Sequence, residues 1–352
     1  MVDKLTPTDS RVQHHTLTIP NSNKTYHYLL AEPPSGTTPS GTALLIHGFP
    51  DLAFAWRYQI PHLATTHNLR VIAPDMAGYG QTDVDPDNLS LYSYKSVIDD
   101  LVAIVNHVTG DANGQIVLGG HDWGGAVAWR FALWYPERLL GVFSVCTPYW
   151  PPNPGPFVSK ADLVKRLPNF GYQVQFEGRD IERVVVGPAR TRAFLSVAYG
   201  AKGKDGSEKG GKALFNTSHG VDLDAVEQDQ VGESPLLSKE EMDYYVQEFT
   251  RQGMKGPTNW YRTLKVNYDE EKDLVKAGKS KITVPSLMVT ASRDAALPPA
   301  MAEGMGQYFD HLVKKEVNAT HWALWEAAAE VNAHISEFVG TIMEGRPLKA
   351  SI

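Results

Sequence analysis

A single cysteine, Cys146, stands among the 352 residues. No intrachain disulfide can form, and the composition suits a reducing compartment. Positive charge is also scarce: 33 Lys and Arg against 40 Asp and Glu leave a net charge of −7, and no basic cluster runs beyond a pair or so. That balance argues against nucleic acid as a partner. No uninterrupted apolar run approaches the roughly 18–20 residues a membrane helix needs, so no membrane span is expected. Met1-Val-Asp-Lys-Leu-Thr-Pro7 lacks the apolar segment of a secretory signal, and the chain carries no repeats. These absences lead us to expect a soluble, cytoplasmic protein, a monomer or homodimer acting on a small molecule. The length suits one large α/β domain with an insertion, or two modest domains.

One stretch organises the rest: Gly120-His121-Asp122-Trp123-Gly124-Gly125. Gln115-Ile-Val-Leu118 before it reads as a buried strand, and Ala126 to Trp134 after it as a helix that Tyr135-Pro136 ends. A strand that turns at once into a helix makes a sharp elbow, tolerated only between small residues, and its apex residue stands above the sheet. Here the apex is Asp122. Such elbows usually carry serine; a carboxylate instead attacks carbon centres and forms an alkyl ester. The competing reading is that Asp122 merely caps the helix that follows.

Along the chain, His14–Pro20 and Thr25–Glu32 read as an antiparallel hairpin. Thr42–Ile46 and Leu69–Ala73 read as buried strands, with a helix from about Ala55 to Ala64 between them. Tyr92–His107 is an amphipathic helix, and Leu139–Val145 a further strand. Strands alternating with helices at this spacing imply right-handed βαβ units and a mostly parallel, twisted sheet flanked by helices. The rhythm breaks at the proline-rich Thr147–Pro156, and from about Pro148 to Gly278 helical patterns appear without a convincing buried strand. The expected organisation is therefore a core in two parts, residues 1–147 and 279–352, with a helical cap at 148–278. Within that cap, Gly200–Gly211 is rich in Gly and Lys and is expected to be a mobile, solvated loop. Strand patterns resume at Ile282–Thr290 and Lys314–Asn318, separated by a helix around Pro299–Tyr308, and a last helix spans about Ala327–Met343.

Three polar residues then stand just beyond three expected strands: Asp122, Asp294 and His321. In open α/β sheets that edge is where ligands bind. Nucleophile, acid and histidine in that chain order form a hydrolase triad, with Asp294 orienting His321 as a base toward water. Asp75 and Asp83 are alternative acids, but both precede the nucleophile. His47 reads as shaping its turn and His121 as part of the elbow. His47-Gly48-Phe49-Pro50, also at a strand end, supplies an oxyanion hole from the backbone N–H groups of Phe49 and Trp123. Pro50 leaves a cis Phe49–Pro50 bond open. Trp123, Phe49, Trp150, Phe157 and Phe176 are candidate apolar walls of a pocket.

These motifs resemble the epoxide hydrolases of the α/β-hydrolase superfamily over nearly the whole chain, from His47-Gly-Phe-Pro50 and Asp75-Met-Ala-Gly-Tyr-Gly-Gln-Thr82 to His321-Trp322. Asn169–Glu177 and Gly256-Pro-Thr-Asn-Trp-Tyr-Arg262 look like the family's two cap tyrosine segments. The resemblance implies that Tyr172 and Tyr261 hydrogen-bond the epoxide oxygen. Among 15 tyrosines, sequence alone would not prefer them over Tyr199, Tyr244 or Tyr245. It further implies hydrolysis of epoxides to vicinal diols without metal or cofactor, through an ester on Asp122.

Two rivals stand beside this reading. A haloalkane dehalogenase shares the aspartate and triad but holds halide with N–H donors, for which Trp123 and Trp260 are candidates. Phe49, however, occupies a position where those enzymes often carry asparagine. A non-enzymatic receptor on the same fold is the rival of different class; such proteins tend to lose a triad member or use serine at the apex.

Overall fold

The computed structural model describes residues 2–204, 206 and 214–348. Its core is an eight-stranded sheet built from β1 (Gln13–Thr18), β2 (Thr25–Ala31), β3 (Gly41–Ile46), β4 (Leu69–Pro74), β5 (Ile116–His121), β6 (Leu139–Val145), β9 (Ser286–Ala291) and β10 (Leu312–Val317). The spatial order is β1-β2-β4-β3-β5-β6-β9-β10. β2 runs antiparallel to β1 and β4, and the remaining pairings are parallel. β5 and β9 are buried at every position, whereas the edge strand β1 alternates and shows its polar side to water. That contrast follows from helices covering both faces of the central strands.

α1 (Gln59–Thr66) packs with α13 (Ala328–Met343), and α2 (Tyr94–Thr109) with α3 (Trp123–Trp134). The ends of α2 are written in its sequence. The Ser93 side chain accepts from the Ser96 amide, and Gly110 closes the helix with φ of 69°.

Between β6 and β9 the chain leaves the sheet. It forms α4 (Lys160–Arg166), α5 (Tyr172–Glu177), α6 (Asp180–Val184), α7 (Gly187–Ala198), α8 (Leu223–Glu227), α9 (Lys239–Gln252), α10 (Lys255–Asn259) and α11 (Leu264–Lys276). This inserted segment is not wholly helical. A two-residue ladder joins β7 (Phe215–Asn216) to β8 (Gly220–Val221), and both residues of β8 are buried. Two residues per strand are too few to leave a period-2 pattern in the sequence. Gly200–Lys204 and Gly206 of the Gly/Lys-rich stretch include a bridge from Gly203 to Val231. The expected loop at residues 205 and 207–211 lies outside the described residues.

Other departures have local causes. The ladder of β9 begins at Ser286 rather than Ile282, because Pro285 has no N–H to donate. The helix expected around residues 299–308 is two 3-10 turns, Pro299–Ala302 and Met305–Tyr308, divided at Gly304 with φ of 72°. The segment before α1 is likewise a separate 3-10 turn, Ala53–Trp56. The last helix is preceded by the short α12 (Ala323–Glu326), with Ala327 as the break.

The inserted segment meets the turn after β4 backbone to backbone at Gly256 and Gly78. A Cβ on Gly256 would lie 2.5 Å from the Gly78 carbonyl oxygen, and one on Gly78 would lie 2.7 Å from the Gly256 Cα. Close by, the Trp260 indole N–H donates to the Ala77 carbonyl at 3.0 Å. Gly256→Ala should push the two layers apart and lower stability by about 1–3 kcal/mol, the usual range for overpacking. A denaturant titration with an unchanged m-value would check this, and an unaltered midpoint would refute it.

Candidate active site

The elbow rests on the glycines around it. Asp122 adopts φ 53° and ψ −124° between β5 and α3, a strained conformation for a residue with a Cβ. A Cβ on Gly124 would lie 2.0 Å from the Ile46 carbonyl oxygen, and one on Gly120 2.2 Å from that of Gly124. Gly48 is bare for a different reason: its Cβ would strike the Asp122 carboxylate at 2.3 Å. The Thr147 hydroxyl donates to the Asp122 carbonyl at 2.7 Å, tying the apex to the end of β6.

The β3 turn then aims one amide at the carboxylate. Phe49 N–H donates to Asp122 Oδ1 at 2.7 Å. The Phe49–Pro50 bond is cis. His47 braces the turn, donating from Nδ1 to the Gly48 carbonyl at 2.9 Å and accepting the Met76 amide at Nε2 at 2.8 Å. Burial holds this imidazole down to about 4, so it stays neutral. The other carboxylate oxygen, Oδ2, lies 3.5 Å from His321 Nε2.

His321 follows β10 and donates from Nδ1 to Asp294 Oδ2 at 2.7 Å. Asp294 follows β9, where the amides of Ala296 and Leu297 both donate to its Oδ1 at 2.9 Å. Burial works against its charge, but the imidazole and those two amides outweigh it and hold the carboxyl below its ordinary range. Burial likewise disfavours the imidazolium, yet Asp294 and Asp122 overcome it and hold His321 up to about 10. Asp122, Asp294 and His321 are thus in one chain of contacts. Asp75 instead binds His27 Nδ1 at 2.7 Å and the Ala53 amide at 2.9 Å.

His121 donates from Nε2 to the His321 carbonyl at 2.9 Å, and burial lowers it to about 4. It braces the histidine's backbone and carries no charge.

Tyr172 opens α5 and Tyr261 lies between α10 and α11. Their ring centroids are 6.2 Å apart, and Tyr261 stands edge-on to Trp123 at 5.2 Å and to Phe49 at 5.1 Å. Burial, reinforced by the nearby Asp122 charge, pushes both phenols above their ordinary value. Sequence reasoning missed what fixes them. The Gln175 side chain donates to the Val221 carbonyl and accepts its amide, at 2.8 and 2.9 Å, clamping α5 to β8. The Tyr172 amide donates to the Thr217 carbonyl at 2.8 Å. Tyr199 and Tyr245, equal candidates by sequence, donate instead to the Pro50 carbonyl and to Asp51 Oδ1. Tyr244 stacks edge-on against Phe54 at 5.3 Å.

Two cavities of about 520 and 460 Å³ meet here, and Asp122, Tyr172 and Tyr261 line both. Trp123, Trp150 and Phe157 wall the first; Phe49, Phe176, Asp294 and His321 wall the second. Trp150 and Phe157 are the exposed members, at 40% and 37%, and stand where that arm reaches solvent.

The α/β hydrolase fold family model matches residues 43–328. The chain is 43% identical over 345 residues to Epoxide hydrolase srdG of Neurospora crassa, covering 96% of this chain and 98% of that one. The chain belongs to the epoxide hydrolases of the α/β-hydrolase superfamily. Bifunctional epoxide hydrolase 2 of Rattus norvegicus is 34% identical over 89% of this chain, which spans 54% of that longer protein. Epoxide Hydrolase A from Mycobacterium thermoresistibile superposes with a TM-score of 0.75 at 26% identity, covering 96% of this chain and 100% of that one. Among the described residues no helix is long and apolar enough to cross a membrane.

The sign of the His321 shift fixes a stability prediction. A histidine raised from 6.5 to about 10 contributes stability that is complete below pH 6.5 and is lost as pH rises toward 10. Unfolding free energy should therefore fall more steeply between pH 7 and 10 in the wild type than in His321→Gln. Parallel slopes by denaturant titration would contradict the raised value.

Proposed function

We propose that this epoxide hydrolase opens the oxirane by attack of Asp122 Oδ2 and regenerates the carboxylate by a water that His321 activates. One observation carries the reading: the carboxylate and the two phenols line both arms of the pocket at their junction. Phe49 N–H holds Oδ1, which leaves Oδ2 as the attacking oxygen. As the C–O bond of the ring breaks, Tyr172 and Tyr261 donate to the departing oxygen and one proton transfers. A positioned acid of this kind contributes about 10²–10⁴-fold.

The product of that step is a hydroxyalkyl ester on Asp122, and its formation removes one of the two charges that hold the imidazole up. With that charge gone the imidazolium holds its proton less tightly and releases it, the tyrosine that protonated the ring oxygen regains one from solvent, and neutral His321 then takes a proton from the water attacking the ester carbonyl. Asp294 steadies the imidazolium that results. Oδ1 carries the developing negative charge, held by the Phe49 N–H and, in the proposed oxyanion hole, by the Trp123 N–H; one such donor is worth about 10²–10³ in rate. The bond from the carbonyl carbon to the alkyl oxygen then breaks as the imidazolium protonates the departing oxygen, a vicinal diol leaves, and the new carboxyl returns its remaining proton to His321, so that the water oxygen stays on the Asp122 carboxylate. No step requires a metal or cofactor.

The same reading takes residues 148–278 as the cap and residues 1–147 and 279–352 as the core. It takes Trp123, Trp150, Phe49 and Phe176 as walls for an aryl or alkyl epoxide, and the protein as a cytoplasmic monomer or homodimer. The dehalogenase alternative is not favoured, because Trp260, one of its two candidate halide donors, is buried and has its N–H engaged by Ala77.

A single turnover in ¹⁸O-water should put label into Asp122 and leave the diol unlabelled; label confined to the diol would remove the covalent step. In steady state, Tyr261→Phe should lower kcat/KM for a styrene-type epoxide by about 10²-fold or more. Halide release from a chloroalkane that ignores Tyr261→Phe would transfer the triad to dehalogenation. Tight ligand binding with no turnover of either substrate would favour the receptor.

A further inference from the structure

We propose that the Trp150 side of the pocket contains an anion subsite built on Lys160, selecting epoxides with a carboxylate a few carbons from the oxirane. The inference rests on the ring-opening reading above and names the substrate class of that same site.

Lys160 is only 8% exposed and forms part of the wall of the 520 Å³ arm. Its Nζ donates to the Tyr261 carbonyl at 2.9 Å and to Gln173 Oε1 at 3.3 Å. Both acceptors are neutral, an ammonium has three donors, and among the described residues no carboxylate stands within ion-pair distance of it; Glu177 acts on it only from farther away, and burial outweighs that attraction. An ammonium withdrawn from water without a counter-charge is costly. Elsewhere the fold meets that cost with a carboxylate: Lys24 with Asp100, Arg57 with Glu241 at 3.0 Å, and Arg130 with Glu271 at 2.7 Å.

Glu271 also lines this arm, but Arg130 holds it. Arg166, on the exposed part of the same wall, makes no ion pair among the described residues and is attracted only from a distance by Asp162, which does not line the arm; with Arg130 offsetting Glu271, Lys160 and Arg166 exceed the single charge of Asp122 and the lining is net positive. The opposite arm pairs Arg293 with Glu326 at 3.9 Å and carries Lys202 together with the Asp122, Asp294 and His321 group. Burial lowers Lys160 to about 8, which still leaves it mostly cationic at neutral pH. Its Nζ lies 5.9 Å from the centroid of the Tyr261 ring. Since Tyr261 also faces the nucleophile, a carboxylate on Nζ must be joined to the oxirane by a short chain.

The test compares kcat/KM for a short alkyl epoxide ending in a carboxylate with that for its primary amide, in wild type, Lys160→Gln and Lys160→Arg. Taking the ratio cancels general damage from loosening Tyr261. The acid should be preferred by about 10-fold or more, as a charge-assisted hydrogen bond implies. That ratio should fall at least about 10-fold in Lys160→Gln and stay within about 3-fold in Lys160→Arg. A wild-type ratio near one overturns the subsite. So does a ratio that survives Lys160→Gln, including equal losses on both substrates, which would assign Lys160 to holding Tyr261 alone. Diol from the amide without acid preference removes the subsite only, whereas diol from neither substrate removes the ring-opening reading as well.

Discussion

Everything at this site depends on Asp122 being held at φ 53° on top of β5. The conformation is costly, of order 1–3 kcal/mol, and it survives because neighbouring backbone occupies the space where side chains would otherwise be. Gly124 lies against the β3 carbonyls, Gly120 against the first turn of α3, and Gly48 against the carboxylate itself. The same packing that strains the apex brings the Phe49 amide to 2.7 Å from Oδ1. Strain and preorganisation are thus two results of one arrangement: the carboxylate is already oriented, and in the proposed mechanism its Oδ1 becomes the oxyanion without further reorganisation.

The second constraint is electrostatic. His321 sits between two carboxylates, one at 2.7 Å and fully buried, the other at 3.5 Å and partly open to the pocket. The unequal placement gives them unequal duties. Asp294, anchored by two amides, keeps its charge throughout, so its hold on Nδ1 is permanent. In the proposed mechanism Asp122 gives up its charge on forming the ester, so its hold on Nε2 would be temporary. On that proposal the imidazolium would lose its proton and serve as a base only once the ester exists.

Much of this was legible in the chain. Strand-end positions for Asp122 and Asp294 follow from buried apolar runs that stop at small or polar residues, and that of His321 from the short strand pattern at Lys314–Asn318, which is only partly buried, because a parallel sheet aligns its carboxyl edge automatically. The tyrosines were not legible in the same way. Tyr172, Tyr199, Tyr244, Tyr245 and Tyr261 all lie in the inserted segment, and only the family resemblance singled out two. What separates them physically is where each hydroxyl is spent. Tyr199 and Tyr245 are engaged by the Pro50 carbonyl and Asp51, contacts over about 150 to 190 residues that no local pattern encodes. The two-residue ladder of β7 and β8, which clamps α5 through Gln175, was invisible for a related reason: its information lies in side-chain hydrogen bonds rather than in periodicity. Lys160 illustrates the limit from the other side, since a lysine at the start of a helix reads as solvated until its burial is seen.

The inserted segment therefore does something the sheet cannot. On the proposed mechanism the sheet edge supplies a nucleophile, an oxyanion donor and a base, all arranged around negative charge. Opening an oxirane also needs proton donors on the far side of the substrate that are neutral at rest, and burial beside Asp122 raises Tyr172 and Tyr261 to keep them so. An ionised tyrosine there would repel the nucleophile and could donate nothing. Apolar packing of Phe49, Phe176 and Trp123 around these rings consequently acts on the proposed chemistry as well as on the shape of the pocket: the burial it provides is the main cause that raises both phenols and keeps them protonated.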